Sequence, residues 1–231
     1  MLKEPMIPIL AQSPLLRGLS DDDLHHVAAL AHQRTYRRGE VVFHQGDAGD
    51  ALHIVQKGRL KVFVYGEAGS ESVLSIVSAG ECFGELALLD GEPRSATVQT
   101  LEPAETIAVR RDDFLALLHT HPATMDRLLV ALTAKIRQLT DTVSDLAFLD
   151  LEGRLGKKLL ELAAQHGTNA ADDGSVEIQL PLTQEDLAAM VGAARASVNK
   201  LLGWYEDRRL ITRRGRHIVL LEPERLRQRI S

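Results

Sequence analysis

Apolar residues recur at a strict seven-residue interval in the middle of this chain. Met125, Leu132, Leu139 and Leu146 form one series, and Leu129, Ile136 and Val143 a second, offset by four and three residues. A repeat of 3.5 residues per turn keeps such side chains on one stripe of a helix, the a and d seam of a left-handed coiled coil. Leu at d with Leu, Ile and Val at a suits two parallel strands. Polar Arg137, Gln138 and Asp141 lie off the stripe. A core helix packed on its own domain is the other reading of such a pattern, and the strictness of the repeat favours a seam between two copies. The helix is expected to follow Pro122 and to end near residue 149.

The segments on either side differ in kind. Residues 33–110 hold short β-rich runs at 41–43, 51–55, 60–65, 72–77, 96–100 and 106–109, separated by turns rich in glycine, as in an all-β barrel or sandwich. Short helices are expected at 21–31, with Ser20 as N-cap, and at 112–118. Beyond Leu149 and Asp150 the heptad stops. Residues 151–166 form a new amphipathic pattern stopped by Gly167, 168–175 read as a loop, and Val176, Ile178 and Leu180 alternate with polar residues as a half-buried strand. The expected organisation is therefore a β-domain over 1–121, a dimerisation helix and hinge over 122–149, and a mixed C-terminal domain over 150–231.

Composition narrows the function. With 45% hydrophobic and 26% charged residues, no signal-like N-terminus and no apolar run of membrane-spanning length, the chain reads as cytoplasmic with no membrane partner. The lone Cys82 cannot form an internal disulfide or supply a thiolate cluster, and reads as a buried apolar filler. His44 and His53 stand apart without the His-x-His pair and Glu of a cupin-like metalloenzyme. They read as barrel-surface residues, and no catalytic or metal-binding set is assigned. Net charge is −5, unevenly spread: residues 1–148 carry 14 Lys and Arg against 20 Asp and Glu, whereas 195–217 carry seven against two. Positive charge is gathered where a nucleic acid would bind.

Two stretches carry chemistry. In Gly84-Glu85-Leu86-Ala87-Leu88-Leu89-Asp90-Gly91-Glu92-Pro93-Arg94-Ser95-Ala96, Arg94 and Ser95 put a forked cation beside a hydroxyl, donors suited to a phosphodiester. Glu85 can accept from a ribose hydroxyl, and Gly84 permits close backbone approach. On spacing alone, a surface ion pair fits as well. In the second stretch, Thr183, itself a candidate DNA contact, caps a helix ending at Gly192, and Arg195-Ala196-Ser197-Val198-Asn199-Lys200-Leu201-Leu202 forms another helix after a short turn. Such a helix-turn-helix places the start of its second helix in the major groove, where Arg195 can read guanine and Ser197, Asn199 and Lys200 reach bases or phosphates. A solvated polar face is the plainer alternative. Residues 210–220 form a hairpin whose basic tip, Arg213, Arg214 and Arg216, suits the phosphate backbone as a wing.

The first stretch resembles the phosphate-binding cassette of cyclic-nucleotide-binding domains. Together with the helix-turn-helix, the hinge-like Asp145-Leu146-Ala147-Phe148-Leu149-Asp150 with Gly153-Arg154, and Val191-Gly192 with Arg195 and Val198, nearly the whole chain resembles the cyclic-AMP receptor and fumarate-nitrate regulator superfamily. The resemblance implies an α+β fold: a jelly-roll-like β-roll, a long dimerisation helix and a winged helix-turn-helix. It implies that Glu85 accepts from the ribose, that Arg94 and Ser95 bind the phosphate, and that Gly84, Leu86 and Ala87 supply the close backbone. It also implies a non-enzymatic homodimer that regulates transcription on palindromic double-stranded DNA, with RNA polymerase as a further partner and cyclic AMP as first-choice effector. Leu139 and Thr140 stand where cyclic-AMP receptors contact adenine, and only Thr140 can hydrogen-bond there. Cyclic di-GMP, or ligand-independent DNA binding, therefore stays open beside cyclic AMP. Ala196 stands where relatives carry a cytosine-reading Glu, so weaker discrimination is expected at that step. A nucleotide-binding regulatory subunit of another protein would leave the helix-turn-helix without a purpose.

Overall fold

The computed structural model describes residues 6–17, 19–66, 69–170, 174–180, 182–215 and 217–230. The chain divides into two compact units, one reaching to Tyr65 and from Val73 to Gln138, the other comprising Gly66–Ser72 and the chain from Leu139 onward.

The first unit opens with α1 (Ile7–Gln12) and α2 (Asp21–Leu30), the latter capped by Ser20, whose hydroxyl accepts from the Asp23 N–H. Eight strands follow: β1 (His32–Tyr36), β2 (Val41–Phe43), β3 (Ala51–Lys57), β4 (Leu60–Tyr65), β5 (Glu71–Val77), β6 (Cys82–Phe83), β7 (Thr97–Thr100) and β8 (Ala104–Arg110). The short α3 (Glu85–Asp90) interrupts them and α4 (Arg111–Thr120) closes them. They make two four-stranded sheets in the orders β1-β8-β3-β6 and β2-β7-β4-β5. One core, with Leu52, Ile54, Ile107 and Val109, packs the first sheet against Leu10, Val27, Phe114 and Leu128 of the helices. A second gathers Val55, Leu60, Val77, Phe83 and Val98 from both sheets. Strand β3 is thus buried on both faces, Leu52 and Ile54 against helices and Val55 in the second core.

That double burial overturns the surface reading of His53. Its side chain is buried, its ring stacks on Phe83 at 5.1 Å between centroids, and Nδ1 lies 3.1 Å from Thr106 Oγ1. Burial first, and the nearby Arg94 second, push its pKa down to about 4, so the imidazole is neutral at pH 7. His44 is exposed. Cys82 is half-buried against the helical core, and desolvation pushes its thiol up to about 12, leaving no reactive thiolate.

The helix α5 (Pro122–Phe148) carries the heptad residues. Met125 and Leu132 pack partly on their own unit's core beside the fully buried Leu128, so the first turns serve as a core helix. The apolar stripe left open begins at Leu129 and Ile136 and continues through Leu139, Val143 and Leu146, all 49–66% exposed in the single chain.

The second unit contains α6 (Leu151–His166), β9 (Gly167–Asn169), β10 (Val176–Ile178), α7 (Gln184–Val191), α8 (Arg195–Asp207), β11 (Ile211–Arg214), β12 (His217–Leu220) and α9 (Pro223–Arg227). Its sheet runs β11-β12-β10-β9. The stretch expected as a loop after Gly167 instead begins with β9, paired antiparallel with β10, and β10 ends at Ile178, short of Leu180. Leu155, Leu159, Val198, Leu202, Tyr205 and Leu226 are buried, and the Tyr205 hydroxyl donates to the Glu152 carbonyl at 2.8 Å. No described helix is long and apolar enough to cross a membrane, and no three His, Cys, Asp or Glu among the described residues group to hold a metal ion.

Candidate functional site

The β-unit's candidate pocket is built where β6 turns into α3. Gly84 is left-handed (φ 80°), and a Cβ there would come within 2.5 Å of Arg94 Nη1, so both the turn and the guanidinium exclude a side chain. Gly91, also left-handed, ends α3 and lets the chain return to Arg94, whose peptide N–H donates to the Asp47 carbonyl. Arg94 is 3% exposed. Its Nη1 donates to the Gly84 carbonyl and its Nη2 to the Ala51 carbonyl, both at 2.7 Å, and the guanidinium lies 4.1 Å from the centre of the Phe43 ring. Nε is buried without a hydrogen-bond partner among the described residues. The Arg94 Nη2 also lies 3.6 Å from the exposed carboxylate of Asp50, so of the guanidinium nitrogens Nε is the one left for an anion to satisfy.

Glu85 is equally buried, and its carboxylate accepts from Lys135 Nζ at 2.7 Å. Ala87 is buried so tightly against Gly49 that a Cβ on that glycine would fall 2.3 Å from its own. Leu86 and Ser95 are exposed, as is Thr140 on α5. The fold therefore gathers Gly84, Glu85, Ala87 and Arg94 into one built site and sets Ser95 at its exposed side. The surface-ion-pair alternative fails, since Glu85 and Arg94 are buried and do not pair with each other. Sequence reasoning missed Lys135 and Phe43. Lys135 occupies a g position of the heptad, where a lysine reads as solvent-facing, and it lies 50 residues from Glu85.

In the second unit, Thr183 and Asp186 form a reciprocal capping box at the start of α7, and left-handed Gly192 ends it. Arg195, Ser197, Asn199 and Lys200 are exposed along the first turns of α8, while Val198 and Leu202 anchor its opposite face. Two residues expected to contact DNA have other partners. The Thr183 hydroxyl and peptide N–H both donate to Asp186 Oδ2, at 2.7 and 3.0 Å. Arg213 pairs with Glu206 and donates to Asn199 Oδ1 at 2.9 Å; the Glu206 bond raises the Arg213 pKa and lowers that of Glu206. Both side chains, like that of Asn199, are thus held by partners within the unit. Arg214 is exposed at the end of β11, and Arg216 lies outside the described residues. Where α5 gives way to α6, Arg154 donates to the carbonyls of Leu149 and Val191, Lys157 pairs with Asp145 at 2.7 Å, and Asp150 caps α6. One arginine thus ties the end of the long helix to the end of α7.

A glycine-flanked turn holding a buried arginine in a two-sheet β-unit, followed by a winged helix-turn-helix, defines a cyclic-nucleotide-binding domain joined to a DNA-binding domain. Comparison agrees: residues 33–121 match the cyclic nucleotide-binding domain family, and residues 153–229 the Crp-like helix-turn-helix domain. The CRP-like cAMP-activated global transcriptional regulator of Mycobacterium tuberculosis is 31% identical over 97% of this chain and 99% of its own length. The cAMP-activated global transcriptional regulator CRP of Escherichia coli is 30% identical over 87% of this chain and 95% of its own. The solved structure of the c-di-GMP responsive global regulator CLP of Xanthomonas campestris, 24% identical, shares the fold with a TM-score of 0.76 over 87% of this chain and 99% of that one. The chain belongs to the CRP/FNR family of transcription regulators.

Proposed function

We propose that this regulator works as a homodimer whose affinity for palindromic DNA is set by a cyclic nucleotide, cyclic AMP first, bound in the β-unit. The observation that carries the reading is Arg94, buried with an unpaired Nε, beside the buried carboxylate of Glu85. In this reading Arg94 and Ser95 hold the phosphate, Glu85 accepts from the ribose hydroxyl, and Gly84, Leu86 and Ala87 form the turn that brings the backbone close. Cyclic AMP is favoured by the two relatives at about 30% identity named as cAMP-activated. The apolar Leu139 favours a second reading at the base, in which cyclic di-GMP replaces cyclic AMP.

The exposed stripe from Leu129 to Leu146 supports pairing with a second copy, since burying such a stripe offsets its exposure at about 25 cal/mol per Å². The binding residues on α8 are Arg195, Ser197, Asn199 and Lys200, with Arg214 on the wing. Ligand bound near α5 would bias the packing of the paired helices, and the Arg154 and Lys157 contacts would carry that bias to α7 and α8. RNA polymerase is the further partner of such a regulator. The domains divide in this scheme as 1–121, 122–149 and 150–231.

Calorimetric titration with cyclic AMP, cyclic GMP and cyclic di-GMP tests the effector. Because Arg94 also holds two backbone carbonyls, Ser95→Ala is the cleaner probe: losing one hydrogen bond to a charged phosphate costs about 1.5–3 kcal/mol, roughly ten- to a hundredfold in affinity. An unchanged affinity would remove Ser95 from the site, and heat from cyclic di-GMP alone would replace the effector.

A further inference from the structure

The wing holds the reading helix by a side chain, and the way it does so bears on which bases that helix selects. Arg213 on β11 makes a fork. One arm, Nη2, pairs with Glu206, and the other, Nη1, donates to Asn199 Oδ1 at 2.9 Å, while the Arg213 peptide N–H donates to Glu206 Oε1 at 3.0 Å. Asn199 and Glu206 are seven residues apart, two turns along one face of α8. Asn199 also lies four residues after Arg195, hence on the same side of the helix as that residue, and both are exposed. A guanidinium only donates, so the end of the Asn199 amide that meets it must be the oxygen. The amide nitrogen is the end left to face outward.

We infer that Arg213 makes Asn199 a donor-side reader of the half-site, so that the position it meets rejects cytosine. This rests on the DNA-binding reading above. In the major groove guanine, adenine and thymine each present an acceptor, whereas cytosine presents only the N4 amino donor. An unrestrained asparagine would answer cytosine by turning its amide over and accepting with Oδ1. Here that turn sets the amide nitrogen against the guanidinium, two donors facing each other, and forfeits the bond to Arg213. Base selection on the helix is thus set by a wing residue that need touch no base. The substitution Asn199→Asp removes that conflict, since a carboxylate can keep one oxygen on Arg213 and turn the other to cytosine N4.

The experiment is in vitro selection of randomised palindromic DNA by the full-length protein, with and without cyclic AMP, comparing wild type with Arg213→Met, Asn199→Asp and Arg195→Ala. Wild type should deplete cytosine about tenfold at one half-site position, the cost of about 1.4 kcal/mol for a donor left unanswered. Arg213→Met should reduce that depletion to about twofold while keeping the guanine selected by Arg195, and Asn199→Asp should enrich cytosine there. Cytosine depletion unchanged in Arg213→Met, or no shift in Asn199→Asp, overturns the inference. Should Arg213→Met fail to fold, judged by its thermal melt, Asn199→Asp decides alone. Loss of a guanine in Arg195→Ala shows that the DNA reading stands when the Asn199 inference falls. No sequence enriched by wild type under either condition overturns both.

Discussion

Replacing Lys135 by Met would leave the carboxylate of Glu85 without its cation. The Glu85 side chain is 4% exposed, so water cannot readily take over, whereas Lys135 is 43% exposed and gives up little on release. Removing one partner of a fully buried ion pair costs about 3–5 kcal/mol, and removing a hydrogen bond to a charged group about 1.5–3. With one partner nearly half in solvent, the lower range applies, and Lys135→Met should destabilise the protein by about 2 kcal/mol. For a chain of this length that corresponds to a melting temperature lower by roughly 4–8 °C. Thermal melts of Lys135→Met, Glu85→Gln and the double variant form a cycle that isolates the pair. The double variant should melt above Lys135→Met, because a Met–Gln pair leaves no buried charge. If Lys135→Met melts with wild type, or the two losses simply add, Lys135 does not hold that carboxylate and the site's electrostatics must be redrawn.

Other expectations follow from the same geometry. The depressed pKa of His53, about 4 against 6.5 for an ordinary histidine, means that the unfolded chain takes up its proton first. Stability should therefore fall as pH drops from about 6.5 to 4, by up to ~3 kcal/mol, and level off below; urea unfolding should show this slope diminished in His53→Phe. Gly84→Ala combines a left-handed φ with a collision at Arg94 Nη1 and should lower the melting temperature and abolish the calorimetric response to cyclic AMP; a normal titration would contradict the built turn. If the proposed dimer forms along α5, Leu139→Asp should sediment as monomer without lowering the helical content of the chain, since Leu139 is 49% exposed in a single copy. A dimer of wild-type strength would place the interface elsewhere.

The sequence was most legible where one face of an element is wet. Helix α6 falls on the residues its amphipathic stripe predicts, and β4 on its β-rich run because Gly58 and Gly66 bracket it, although Leu60 and Lys61 are both buried. His53 was misread because β3 is buried on both faces and offers no alternation to show it. The two-residue β6, three-residue β9 and five-residue α9 are too short to carry a period, and their positions follow from partners elsewhere in the fold. The heptad seam is continuous in sequence, yet Met125 and Leu132 are partly claimed by the β-unit through the neighbouring Leu128, a competition that no period reveals. At the candidate sites, the local motif at 84–95 was visible, but the cross-chain partners were not. Lys135 on Glu85, Phe43 under Arg94 and Arg213 on Asn199 join residues that only folding brings together.

In the proposed scheme, ligand in the β-unit and DNA on α8 are coupled. Fluorescence anisotropy of a labelled palindromic duplex chosen by selection, titrated with the full-length protein at fixed salt with and without saturating cyclic AMP, measures that coupling directly. A coupling of about 1–3 kcal/mol should appear as a five- to 150-fold tighter complex with the nucleotide, and it should vanish in Ser95→Ala at a cyclic AMP concentration that saturates wild type but not the variant. Equal affinity for DNA in the presence and absence of a nucleotide that binds the β-unit would contradict it.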